Sequence, residues 1–439
     1  MVLDTGFAAA RYAVLILGSY YLLVIGHRIL LHPLRRYPGP LVAKFTDWYG
    51  GFHALSMHLH LTTYQDHKKY GRVMKHGPNR LVFNSVQALQ DIYSNERTTK
   101  SHIYLLTVQA NGIDSIFNAV DRKRHASKRR LVGRAVTKRA MRMFGPIMHE
   151  QIDVFACKRL GLDIVGHLAF GFALDTQTDP TYRFIIDGIA MGNYRANSFM
   201  QLPFLKNGAG GDTTATALSA LFFYPSHNPV AYRQVSEEVR GTFTHAAEIQ
   251  GGPMLSDCRY LRAYIDATLR MSSPISGTLW RELAKDEEAK GPLIVDRHVI
   301  PRGTQVGVNI YTLHHNEDYF PEPFDFRSER WLVEDSSELQ TMHAAFATFS
   351  AGARGCAGKP MAYLESSLVA AKTLWYFDFQ TAPGDVTGVG IRGKMDGRGR
   401  REEYQLRDVF SAAHDGPYVV FRPRGDACKE LGVRMSQSQ

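Results

Sequence analysis

The chain reads as a mainly α protein with small β-sheets, one large domain behind a single N-terminal apolar helix. Three observations predict this. Residues 141–170, 212–224, 228–249 and 258–271 repeat apolar side chains at a spacing near 3.6, with acids and bases on the other faces. The β-rich runs are short, "RLVFN" at 80–84, "VGVNIYT" at 306–312 and "PYVVFRP" at 417–423, each bounded by Gly, Pro or Asn. The 439 residues, 44% hydrophobic and 21% charged, can bury a large core, and they contain no repeat or low-complexity segment.

The elements follow in order. Between Thr5 and Gly26 the only charged residue is Arg11, and about 20 such residues can span a bilayer as a helix. Arg28, Arg35, Arg36 and Lys44 follow, so the positive-inside rule leaves the rest of the chain on the cytosolic side. Residues 5–26 are therefore expected to be a transmembrane signal anchor. Residues 27–44 form a basic hinge, because "HPLRRYPGP" places Pro33, Pro38 and Pro40 where a helix cannot continue. The domain proper is 45–439. Within it, "HNEDYFPEPFDFRSERWL" at 315–332 is expected to wind without regular structure, and the run from Lys359 through Tyr376 is a helix with Pro360 in its first turn.

Charge and cysteines narrow the class. A formal charge of +10 points to an anionic partner: a membrane surface, an acidic protein, nucleic acid or an anionic cofactor. Cys157, Cys258, Cys356 and Cys428 lie far apart with no C-x-x-C pair, against a disulfide framework or a zinc site and in favour of a reduced compartment.

The stretch "FSAGARGCAGKP" at 349–360 carries the chemistry. It sets Cys356 just ahead of a helix N-terminus, where backbone N–H groups and the dipole favour a thiolate. Gly352, Gly355 and Gly358 let the backbone turn tightly and approach a flat group. Such a cysteine suits a nucleophile or a metal ligand. A nucleophile needs a base that no short signature supplies, whereas a haem ligand needs the thiolate, a close backbone and a cation such as Arg354 for the propionates. A buried structural cysteine beside a helix cap leaves the glycines and Arg354 unexplained.

At this point the chain resembles the cytochrome P-450 superfamily of haem-thiolate monooxygenases. The F-x-x-G-x-R-x-C-x-G signature is complete in Phe349, Gly352, Arg354, Cys356 and Gly358. "AGGDTT" at 209–214 resembles the oxygen-binding motif, in which Thr213 and Asp212 would pass protons inward while Gly210 and Gly211 weaken the distal helix. "YLRAYIDATLR" at 260–270 resembles the K helix: its arginine is Arg270, but the glutamate position is Ala267. Arg330 in "FRSERW" would join the same buried cluster, and Asp266, the nearest acid, is rotated about 100° off that face.

In "RKRHASKRRLVGRAVTKR" His125 and Arg129 match the propionate pair of the C helix, and Arg281 falls where a further propionate ligand comes. The remaining bases would form the face on which an acidic reductase docks.

The resemblance implies a cytochrome P-450 fold and haem b with Cys356 as axial ligand. It also implies electrons from an NADPH-cytochrome reductase, dioxygen as co-substrate and a hydrophobic small-molecule substrate. The endoplasmic reticulum membrane is the expected site, with the catalytic domain cytosolic. The texture is similar to filamentous-fungal members of secondary metabolism. Segments near 155–160 and 205–210 are shorter than the family pattern, so the alternative reading is a non-catalytic, membrane-anchored relic of the fold. A nucleic-acid-binding protein is disfavoured, because no zinc finger or similar module accompanies the basic run.

Overall fold

A computed structural model describes residues 2–108, 114–137, 139–141, 163, 174–183, 185–186, 200–201, 213–394 and 396–425. The chain begins with α1 (Val2–Leu30), followed by α2 (Leu41–Phe45), α3 (Trp48–Leu55) and α4 (Leu59–Tyr70). Then come β1 (Val73–Gly77), β2 (Arg80–Phe83), α5 (Val86–Tyr93), β3 (Thr98–Lys100) and α6 (Arg122–Ala135). The second half contributes α7 (Thr213–His227), α8 (Pro229–Thr242), α9 (Arg259–Met271), β4 (Arg281–Leu283), β5 (Leu293–Val295), β6 (His298–Ile300) and β7 (Gln305–Val308). After α10 (Ile310–His314) and α11 (Ser336–Ala345) come α12 (Lys359–Tyr376), β8 (Phe377–Thr381), β9 (Leu406–Arg407), β10 (Ala413–His414) and β11 (Val419–Pro423). Helices dominate, as the periodicity predicts.

Two cores hold these elements. One is helical: Leu218 and Leu221 of α7, Val235 and Val239 of α8, Leu261 and Ile265 of α9 and Leu368 of α12 bury one another's apolar stripes. The helices start where local chemistry places them. Pro229 opens α8 behind Asn228, whose side chain accepts from the Ala231 N–H, and Asp121 caps α6 by accepting from the Arg124 N–H. The second core lies under a five-stranded sheet of order β1-β2-β7-β4-β3, with α5 against it and Ala263 and Ala267 of α9 at its base. β2 and β7 run parallel, Leu81 opposite Val306, and β3 and β4 run antiparallel, Lys100 opposite Arg281. That last register builds the site.

The structure corrects three expectations. Among the described residues no helix is long and apolar enough to cross a membrane. α1 exists, but its run Val14–Ile25 is interrupted by Gly18, Ser19, Tyr20 and Tyr21 and bounded by Arg11, His27 and Arg28. At about 1.5 Å per residue that run covers less than about 20 Å of a hydrocarbon core some 30 Å thick.

The 306–312 stretch is a strand only to Val308. Asn309 Oδ1 then accepts from the Thr312 N–H at 2.9 Å and caps α10. Finally, α7 does not stop at Tyr224 but runs through Pro225 to His227. A proline deprives the carbonyl four residues back of its donor, and here the buried Tyr264 hydroxyl donates to Leu221 O instead. The helix predicted at 141–170 and the segments 155–160 and 205–210 lie almost wholly outside the described residues.

Candidate functional site

The cysteine loop is closed on itself and tied to two distant segments. The Cys356 N–H donates to Phe349 O at 2.8 Å, and the Gly355 N–H donates to Gly352 O at 3.0 Å. Gly352 sits at φ +67°, and a Cβ there would run into the carbonyl of Tyr93, so only glycine allows the loop to lie on α5. Arg354 donates to Ala119 O at 2.7 Å, Val120 O at 3.0 Å and Thr99 Oγ1 at 3.1 Å, reaching the chain just ahead of α6 and the strand β3. Arg129 of α6 donates to Gly355 O. The Phe349 ring packs 5.1 Å from the Tyr363 ring of α12.

Cys356 is exposed as a residue, whereas Cys258 is buried in the helical core. Burial of its sulfur by protein atoms raises the Cys356 pKa, and this outweighs the pull of the Gly358 and Lys359 N–H groups and of Arg129. The two N–H groups act in the direction the sequence predicts, toward the thiolate, and a metal cation bound at the sulfur would favour it further.

The sheet and α6 bring the predicted propionate residues together and add one that sequence reasoning missed. Antiparallel pairing sets Lys100 beside Arg281, and both are buried. Lys100 Nζ donates to Ile116 O at 3.2 Å and to Phe117 O, and the Arg281 guanidinium lies 4.9 Å from the Tyr93 ring centre. His125 is buried as well, its pKa lowered to about 4 by burial and then by Arg354, Lys100, Arg129 and Arg281. The charges acting on Lys100 are cations alone, Arg281, Arg354 and Arg129, which with burial push its pKa well down.

None of these four cations makes an ion pair among the described residues. Two buried and two half-buried positive charges that repel one another favour binding of an anion. A group with two carboxylates and a metal for the adjacent Cys356 satisfies both demands, so the residues present fit a haem. Lys100 carries no motif; only the strand register reveals it.

Thr213 opens α7, and Asp212 lies outside the described residues. A small cavity of about 10 Å³, room for a single water, is lined by Leu59, Met200, Gln201, Ile275, Thr278 and Phe410, among others. Its wall touches the cation set: the Phe410 ring is 5.0 Å from that of Phe117, whose carbonyl accepts from Lys100.

The arginine cluster keeps its place without its glutamate. Arg270 is 1% exposed and donates to His314 O at 2.8 Å, Pro323 O at 2.7 Å and Asp325 O at 3.3 Å, while Arg330 donates to Glu322 O at 2.6 Å. Carbonyl dipoles thus replace part of the missing carboxylate. They do so incompletely, because Nε of both arginines is buried without an acceptor among the described residues. Burial and then Arg330 lower the Arg270 pKa to about 9. Asp266 is engaged elsewhere, accepting from Arg262 Nε at 2.9 Å and the Tyr363 hydroxyl at 2.5 Å, as its position on the helix predicts.

Comparison with known proteins fits this geometry. The cytochrome P450 family model matches residues 200–388, which include the cysteine loop. The cytochrome P450 monooxygenase apf7 of Gibberella fujikuroi is 30% identical over an alignment covering 94% of this chain and 97% of that protein. The cytochrome P450 monooxygenase poxM of Penicillium oxalicum is 30% identical over 96% and 97%, and AKT7 of Alternaria alternata, also a cytochrome P450 monooxygenase, 29% identical over 93% and 96%. The alignment with apf7 runs over 529 positions, more than the 439 residues of the chain, so it opens gaps in this chain. The chain belongs to the cytochrome P450 family, the monooxygenases whose haem iron is held by a cysteine thiolate.

Proposed function

We propose that this protein oxidises a hydrophobic small molecule in fungal secondary metabolism, on the cytosolic face of the endoplasmic reticulum membrane, with electrons from an NADPH-dependent reductase. The observation that carries this reading is the unpaired set Lys100, Arg129, Arg281 and Arg354 around the Cys356 loop. Cys356 holds the iron, and the four cations with His125 hold the propionates. The Phe349 carbonyl accepts from the Cys356 N–H, and Gly352 and Gly358 keep the loop flat enough for a macrocycle. When bound, haem supplies the activation of dioxygen that amino-acid side chains cannot. Thr213 and Asp212 move protons toward that centre through their hydroxyl and carboxylate. Arg270 and Arg330 brace the fold behind the loop.

Exposed Lys123, Arg124, Arg130 and Arg134 on α6 suit an acidic redox partner. The exposed apolar side chains of α1, among them Leu15, Ile16, Leu22 and Leu23, attach the domain to the membrane surface. A chain shortened near 155–160 and 205–210 accounts for the gaps.

The test is turnover by the full chain with reductase and NADPH. NADPH consumption coupled to an oxygenated product bears the proposal out. A haem-loaded protein that consumes none supports the relic.

A further inference from the structure

At the root of α1 the chain gathers positive charge that the haem site does not use. Lys75, in the middle of β1, is 0% exposed, yet its Nζ has no hydrogen-bond partner among the described residues. The fold forces it there. Lys75 pairs with Leu81 across β1 and β2, its N–H donates to Pro38 O at 2.7 Å, and Gly39 (φ +152°) lies so close that a Cβ would strike the Lys75 carbonyl. The proline elbow is thereby clamped over this lysine.

Arg28, at the end of α1, donates to Phe45 O, and Lys44 of α2 stands in the same group. His32 links the elbow to Asn79 at 2.9 Å. Burial first, then Arg28 and Lys44, lower the Lys75 pKa to about 8, and no acid figures among the charges acting on it. A buried ammonium without a partner is costly, and here it recurs beside two further cations. The helices that pack on this strand and the end of α1 carry apolar surface: Leu30, Leu31, Leu41, Val42, Trp48 and Phe52 are all exposed. Apolar surface over a buried cation group is complementary to acyl chains bearing a phosphate.

We propose that Lys75, with Arg28 and Lys44, binds the phosphate of an anionic phospholipid and thereby fixes how deep and at what tilt the domain sits on the membrane. The lipid source rests on the membrane attachment proposed above; the oxyanion site itself does not.

The experiment is flotation of the full chain with vesicles of phosphatidylcholine alone or with added phosphatidic acid. Salt is set where the screening length falls to about 3 Å, so that exposed charges contribute little. Wild-type protein is expected to prefer the phosphatidic acid vesicles about tenfold, equivalent to about 1.4 kcal/mol. Lys75→Met is expected to lose that preference while still binding both vesicles through α1 and keeping, or raising, its thermal midpoint. Lys75→Arg is expected to retain it.

An unchanged preference in Lys75→Met overturns the proposal. A second arm measures the shift in thermal midpoint caused by inorganic phosphate without lipid. If wild-type protein ignores the vesicles but phosphate stabilises it and not Lys75→Met, the site stands and the lipid source is refuted. If neither vesicles nor phosphate distinguish the two proteins, the site is refuted.

Discussion

Replacing Ala267 by glutamate is expected to stabilise this protein, against the rule that filling a buried alanine position destabilises. Ala267 is 1% exposed on α9 and lies three residues before Arg270, on the same face. Two donors lie in that cluster, Nε of Arg270 and Nε of Arg330, both buried without an acceptor among the described residues. Satisfying a buried donor on a charged group is worth about 1–3 kcal/mol, so a carboxylate reaching both gains about 2–6 kcal/mol. Against this stands overpacking, about 1–3 kcal/mol for added atoms in a filled core. Desolvation of the new carboxylate is offset by two guanidiniums that repel each other in its absence. The midpoints of the two ranges leave a gain of about 2 kcal/mol, or a few degrees in thermal midpoint for a domain of this size.

The assay is the thermal midpoint and soluble yield of Ala267→Glu beside Ala267→Gln, which offers the shape without the charge. The reasoning predicts that Glu exceeds both Gln and wild type. A midpoint below wild type for Glu means that the carbonyls of His314, Pro323 and Asp325 already suffice for Arg270, and the argument from orphaned donors fails.

Two further expectations follow from buried charges. Glu365 of α12 is fully buried with neither oxygen hydrogen-bonded among the described residues, and burial raises its pKa from 4.5 to about 8. Between those values the folded chain holds a proton that the unfolded chain has released, so stability falls as pH rises from about 4.5 to about 8. Glu365→Gln should flatten that slope in denaturant titrations and be the more stable protein at pH 8; an unaltered slope assigns the pH dependence elsewhere. Lys100→Met should raise the thermal midpoint of the haem-free chain by removing a buried unpaired cation, and weaken haem retention about tenfold, the worth of one charge-assisted hydrogen bond. Loss of stability with haem affinity unchanged would place Lys100 outside the propionate site.

How much of this was legible from sequence depended on whether the determinant was local. The cysteine loop was, because its five signature residues lie within ten positions and each does its work there: Gly352 against Tyr93, Arg354 back to Ala119 and Val120. The helices α8 and α9 were legible from apolar spacing, and the misfit of Asp266 from helix geometry alone. Lys100 was not, because only the register of β3 on β4 sets it beside Arg281, 181 positions away in sequence. The end of β7 was misread because the cap at Asn309 overrides the β-propensity of Ile310, Tyr311 and Thr312. The last turn of α7, beyond the 212–224 periodicity, was not legible because the donor that compensates for Pro225, Tyr264, sits on another helix. The apolar N-terminus supported a spanning helix only while its tyrosines, glycines and basic flank were counted as tolerable.

The central claim is that Cys356 holds haem iron as a thiolate in a site whose cations suit the propionates. The most direct test is the carbon monoxide difference spectrum of the reduced full-length protein beside Cys356→Ala and Cys258→Ala. The account predicts a strongly red-shifted Soret band in wild type and Cys258→Ala and none in Cys356→Ala. A red-shifted band that survives in Cys356→Ala, or its absence from a soluble, haem-loaded wild-type protein, would contradict it.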